Sequence, residues 1–263
     1  MKGLTYSQHY TVLCNLVKIA ETIPVDKIIE DNLAYKSLMI CFLLKELSIS
    51  RTLITLYNSN DTRFFPASVG YILCRTMLEL DINAHYLSKK PIVYSKLYID
   101  YKKILKMKKL DFCKKHLNTK KNDWNIAMNM EWHEYWENIE GTIQEEFNKV
   151  VAQYSKPDKK GKKRIYQNWS GKNIRELAEE VDHLESYDYF YTYLSSFIHG
   201  DIEEIDRFLK IGKMKLTWSL ETNEFDIGNV FRNASTFLHC FLSLFGAQFK
   251  LWEKETVDNC WNV

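Results

Sequence analysis

Apolar residues recur every three to four positions along most of this chain, with few breaks between the runs. Residues 5 to 22 carry the pattern up to Pro24 and predict a first helix. Asp26 is placed to cap a second helix, whose apolar positions run through Leu33, Leu38, Ile40, Leu43, Leu44, Leu47 and Leu53 to Tyr57. The turn Asn58-Ser59-Asn60-Asp61 follows. After Pro66, the positions Val69, Ile72, Leu73, Met77, Leu80 and Ile82 mark a third helix to about Leu87, and Pro91 opens a fourth. The short connection predicts that the second and third helices pair antiparallel as a core hairpin. A strongly apolar helix is expected from about Asp226 to Lys254. Only Met214 to Leu220 alternates, weakly, which allows at most a short strand pair near residues 213–223.

Nine glycines and four prolines in 263 residues are too few for a many-stranded sheet. The expected fold is therefore an all-α bundle of about seven or eight helices, built as a single helical domain over 1–263. A charged helical hairpin at about 92–154 and a basic loop at 155–164 are expected features of it. In that hairpin lysines dominate from Lys96 to Lys121, and acids, among them Glu131, Glu134, Glu137, Glu140 and Glu145, dominate from Asp123 to Glu146. Two such faces screen one another, and Trp124, Trp132 and Trp136 among the acids suit packing better than base stacking. The formal net charge of +2 gives no global field for nucleic acid or membrane. Cys14, Cys41, Cys74, Cys113, Cys240 and Cys260 have no close pair, which reads as free, mostly buried thiols. With no long apolar run and no leader-like N-terminus, a cytoplasmic protein without membrane association is expected.

Candidate chemistry concentrates between Asp182 and Asp201. At helical spacing Tyr187, Tyr191, Ser195 and His199 share one face, polar but aromatic, and Gly200 is suited to end the helix directly after the histidine. On the third helix Arg75 and Glu79 are four apart, the spacing of an intrahelical ion pair. An alternative placement turns Arg75 toward His199, where its guanidinium would hold a phosphate while the imidazole moves a proton. Lys162, Lys163 and Arg164 in the basic loop are candidate phosphate contacts. His133 with Glu137 lacks further ligands, and His85, His116 and His183 have no partner visible in the sequence, so neither metal nor cofactor is expected. There is no phosphate-cradling glycine loop and no Gly-x-Ser-x-Gly elbow for Ser195.

Arg75-Thr76-Met77-Leu78-Glu79, Trp169-Ser170-Gly171-Lys172 and Tyr191-x-x-Leu194-Ser195-x-x-x-His199-Gly200, in that order, resemble an uncharacterised family of bacterial helical proteins over roughly residues 35 to 200. A looser similarity runs to the HEPN-type bundles of toxin–antitoxin and phage-defence systems. That resemblance implies metal-independent RNA cleavage by an arginine and a histidine four to six residues apart, and Arg232-Asn233 with His239 fits the pattern in letters.

Two functional expectations follow. One is a HEPN-like, metal-independent RNA-cleaving or RNA-binding homodimer of toxin–antitoxin or phage defence, with a cognate antitoxin or defence protein as partner. Its site would be Arg75, Glu79, Tyr191, Ser195 and His199, with Arg232, Asn233 and His239 as a second motif. The other is a non-catalytic helical module that binds a partner protein or small ligand through the face of Tyr187, Tyr191, Ser195 and His199.

Overall fold

The computed structural model describes residues 4–59, 65–117, 139–158, 160–199, 209–211, 216–218 and 224–263. It is all-α, as its periodicity predicts, and its contacts divide the chain into two compact units, 1–91 with 174–263, and 92–173.

In the first unit, α1 (Tyr6–Glu21) starts at a reciprocal cap. The Gln8 N–H donates to Thr5 Oγ1 at 3.3 Å, and the Thr5 N–H donates to Gln8 Oε1 at 2.9 Å. The start of α2 (Leu33–Ser59) corrects the sequence reading. Asp26 lies in a short 3-10 turn (Val25–Lys27), and Asn32 is the residue that caps, its Oδ1 accepting the Tyr35 N–H at 3.1 Å. Both are good capping residues, and only the one adjoining the first helical turn can reach its unpaired N–H groups. Asn32→Ala is expected to lower stability by about 1 kcal/mol, read as a shift of the urea midpoint at unchanged slope.

The centre of this unit is α8 (Glu224–Phe249), which packs on α1, on α2 and on α3 (Ala67–Lys89). Phe231, Leu238, Phe241, Leu242 and Phe245 on it are completely buried. Gly70 sets the approach of α3 to α8: a Cβ there would lie 2.8 Å from Val230 Cγ1, closer than packed carbons allow. Among the described residues the unit also holds α6 (Ile174–Glu180), α7 (Leu184–His199) and α9 (Lys254–Asp258), and α7 packs on α3. An antiparallel pair, β3 (Leu209–Ile211) and β4 (Leu216–Trp218), matches Lys210 with Thr217, slightly N-terminal to the 213–223 expected.

The second unit holds α4 (Pro91–Leu117) and a helix over 139–150, α5. Their charged faces pair as the sequence suggests, Lys106 with Glu146 at 3.3 Å and Lys114 with Glu140. The segment expected as a loop at 155–164 is a hairpin of β1 (Ser155–Pro157) and β2 (Lys163–Ile165), with Lys156 opposite Arg164. Its turn is closed by Asp158, whose Oδ1 accepts the N–H groups of Lys160 and Lys162, both at 2.8 Å, and Gly161 takes the left-handed φ of 75°. Trp124, Trp132, Trp136, His133 and the acids from Glu131 to Glu137 lie outside the described residues. Among those described, no helix is long and apolar enough to cross a membrane, and Cys14, Cys41, Cys74, Cys240 and Cys260 are free thiols, with Cys41 exposed.

Candidate functional site

Helical spacing puts Arg75 and Glu79 on one face of α3, and their side chains pair there, Arg75 Nε donating to Glu79 Oε1 at 3.1 Å. The guanidinium also reaches α7, where Nη2 donates to the Tyr191 hydroxyl and Cζ lies 4.3 Å from the Tyr191 ring centroid. Tyr187, one turn earlier on α7, stacks on Tyr191 with ring centroids 4.4 Å apart and planes 22° from parallel. Burial, then the neighbouring Tyr191, pushes the Tyr187 phenol up to about 12, so it stays a hydrogen-bond donor near neutral pH.

The side chains of Arg75 and Glu79 keep 18% and 40% of their surface exposed. This is a partly open polar face and not a sealed core pair, and water can reach it. A second link holds α7 in place beside it: Tyr193 donates to the Tyr71 hydroxyl at 3.1 Å, and Tyr71 donates to Asp226 Oδ1 at 2.9 Å. Ser195 Oγ is buried without a hydrogen-bond partner among the described residues. His199 is the last described residue of α7, and its side chain, like Gly200 after it, lies outside what is described.

The second motif is divided by the helix that carries it. Arg232 is exposed, whereas Asn233 is 1% exposed. The His239 imidazole is engaged by the C-terminal segment: Nε2 is 2.8 Å from Asp258 Oδ1, and Trp261 packs edge-on at 5.8 Å. His9 on α1 touches the same Trp261, and burial, then the Arg232 charge, lowers its pKa. Among the basic candidates, Arg164 lines a cleft of about 280 Å³ in the second unit with Lys156, Tyr166 and Lys172. Lys162 is exposed, and the Lys163 side chain lies outside the described residues. Trp169-Ser170-Gly171-Lys172 shapes that cleft: the Lys172 N–H donates to Ser170 Oγ at 3.1 Å, and Gly171 at φ 73° lies where a Cβ would be 2.9 Å from the Tyr166 ring.

A third cluster has no counterpart in the sequence reading. Asp81, 2% exposed, meets two imidazoles: His85 Nδ1 lies 3.2 Å from its Oδ1, and His183 Nδ1 lies 3.6 Å from its Oδ2. The two rings lie with centroids 4.4 Å apart and planes tilted by 51°. Burial opposes charge on both imidazoles. For His85 the hydrogen bond and charge of Asp81 outweigh it and raise the pKa, while His183 stays below its usual value. Glu46, fully buried nearby, is pushed well above the carboxylate range by burial, then by the Asp81 charge, and its two oxygens have no hydrogen-bond partner among the described residues. One carboxylate and two imidazoles are a set that suits a transition metal. Asp81-x-x-x-His85 was a visible signal at helical spacing. His183 was not, because its partnership exists only once α3 and the α6–α7 turn are packed together.

A family model described as a family of unknown function, DUF5677, matches residues 36–214. The matched span contains Arg75, Glu79, Asp81, His85, His183 and Tyr191, and it ends before Arg232 and His239. No curated protein and no solved structure matches the chain.

Proposed function

The chain belongs to the DUF5677 family, a family of unknown function, and we propose that it binds and cleaves RNA without a metal at the face shared by α3 and α7. The observation that supports this reading is the partly exposed Arg75 guanidinium joined to the hydroxyl of the half-buried Tyr191, on whose ring the buried Tyr187 stacks. Two of the five guanidinium N–H groups are used by Glu79 and Tyr191, and the others suit the oxygens of a phosphodiester. Flat aromatic rings beside a cation are the usual surface for unpaired bases. In cleavage, the ribose 2′-hydroxyl attacks the adjacent phosphorus. His199 takes the proton from that hydroxyl, and Arg75 stabilises the charge that gathers on the phosphorane oxygens. The bond to the 5′-oxygen breaks, and that oxygen takes a proton from water, giving a 2′,3′-cyclic phosphate and a 5′-hydroxyl, while the His199 imidazolium returns its proton to solvent. Tyr191 positions the scissile group, and Ser195, whose Oγ is buried one turn further along α7, supports that helix from within. In this reading the protein acts as a HEPN-like homodimer in toxin–antitoxin or phage defence, held in check by a cognate partner.

One observation favours a second reading. Glu79 already neutralises Arg75 at 3.1 Å, which suits a non-catalytic module whose tyrosine face takes a partner protein or small ligand. Incubating the purified chain with total RNA in excess chelator separates the two. Cleavage leaving cyclic-phosphate ends is the expected result, RNA binding without cleavage overturns the cleavage step and leaves an RNA-binding role, and neither binding nor cleavage removes the RNA reading and favours the module.

A further inference from the structure

We propose that Asp81, His85 and His183 form a binding site for a divalent transition-metal ion of the zinc class. The donor set is mixed oxygen and nitrogen, which zinc accepts and which calcium and magnesium, preferring oxygen alone, do not. The spacing also fits. A tetrahedral ion with bonds of ~2.1 Å holds neighbouring ligand atoms ~3.4 Å apart, and each imidazole lies near that distance from its own carboxylate oxygen, His85 Nδ1 at 3.2 Å from Asp81 Oδ1 and His183 Nδ1 at 3.6 Å from Asp81 Oδ2. All three ligand atoms lie within 4.8 Å of one another. A distance of 3.6 Å is too long for a hydrogen bond, so hydrogen bonding does not account for His183 turning Nδ1 toward this carboxylate.

The site is held from both sides. α3 supplies Asp81 and His85 one turn apart, and His85 Nδ1 also lies 3.0 Å from the Asp81 backbone carbonyl oxygen. Without an ion, that nitrogen carries a proton shared with the carbonyl. The ion takes the place of this proton. His183 comes from the α6–α7 turn, where Asp182 has φ 60° and the backbone on either side is fixed: the His183 N–H donates to the Ala178 carbonyl at 2.8 Å, and its own carbonyl accepts the Tyr187 N–H at 2.8 Å. Glu46 supplies an independent indication. It is 0% exposed with both carboxyl oxygens unpartnered among the described residues, and the Asp81 charge acts on it, so an ion held by Asp81 would lie near a second buried carboxyl group. The two imidazole side chains keep 22% and 23% of their surface exposed, which gives an ion a path in and leaves a coordination position for water.

The test uses the full chain stripped with chelator and dialysed, titrated with ZnCl2 in a calorimeter and with CoCl2 in a spectrophotometer. Expected are one zinc ion per chain with a dissociation constant at or below the micromolar range, and the intense visible absorption of four-coordinate cobalt. His183→Ala and His85→Ala, at half-buried positions where the fold is checked by circular dichroism, are each expected to weaken zinc binding by more than the ~10–100-fold seen for outer-shell changes. No zinc uptake by the wild type overturns the proposal, as does uptake of equal affinity in both histidine variants. RNA cleavage is assayed in chelator, so a failure here leaves that reading standing, and a failure there leaves this one.

Discussion

Arg75→Ala is expected to lower kcat/KM for RNA cleavage by about 10²–10³-fold, the loss that follows removal of one preorganised donor to a developing oxyanion. The fold should survive the change. Glu79, the partner left behind, keeps 40% of its side-chain surface in water and is not stranded as a buried charge, and the Tyr191 hydroxyl can turn to solvent. Thermal unfolding therefore serves as the control, with a shift of no more than a few degrees. Arg75→Lys separates charge from geometry. It keeps the positive charge but not the planar fork, so binding should fall little while kcat falls nearly as far as in the alanine variant. The measurement is single-turnover cleavage in chelator over a range of protein concentrations, which gives the rate at saturation and the apparent affinity separately. Undiminished cleavage by Arg75→Ala, together with loss in His239→Ala, would move the chemistry to α8 and its C-terminal contact with Asp258.

What the sequence discloses depends on how local the cause is. The helices follow from apolar spacing and from caps and prolines next to them, so α1, α3, α4 and α8 are readable within a few residues. The pairing of Arg75 with Glu79 and the stacking of Tyr187 on Tyr191 are readable for the same reason, since each joins residues one helical turn apart. The contact between those pairs is not local. It needs α7 to lie against α3, which is set by burial and by the link from Tyr193 through Tyr71 to Asp226. His183 is harder still, because it sits in a turn where no periodicity operates and its role comes from a left-handed residue beside it. The basic hairpin of β1 and β2 was hidden by its lysines, which carry no alternation of polar and apolar residues, and only Asp158 with Gly161 marks the turn. Arg232 and His239 are the opposite case, legible as letters but not in their surroundings. Letters at a suggestive spacing say nothing of burial, and the fold leaves the arginine in solvent while a carboxylate from the C-terminal segment holds the histidine.

Phe231→Ala is expected to destabilise the first unit by about 3–5 kcal/mol, the range for removing a large aromatic side chain from a packed core. Phe231 is completely buried on α8, edge-on to Tyr10 at 5.3 Å and Tyr57 at 5.1 Å, and tilted against Phe65 at 5.7 Å. It therefore joins α1, the end of α2, the segment just before α3, and α8, and no one of these can close over the cavity without moving against the other three. Aromatic pair contacts of about 0.5–1.5 kcal/mol each are lost with the buried area. A domain of ordinary stability holds only ~5–15 kcal/mol in total, so the variant should melt well below the wild type and lose the α3–α7 face along with its core. Phe225→Ala on the same helix is the matched control: that ring is 71% exposed, and its removal should change stability by less than ~0.5 kcal/mol. Equal urea midpoints for the two variants would mean that α8 does not organise this unit, and the geometry assigned to Arg75 and Tyr191 would lose its support.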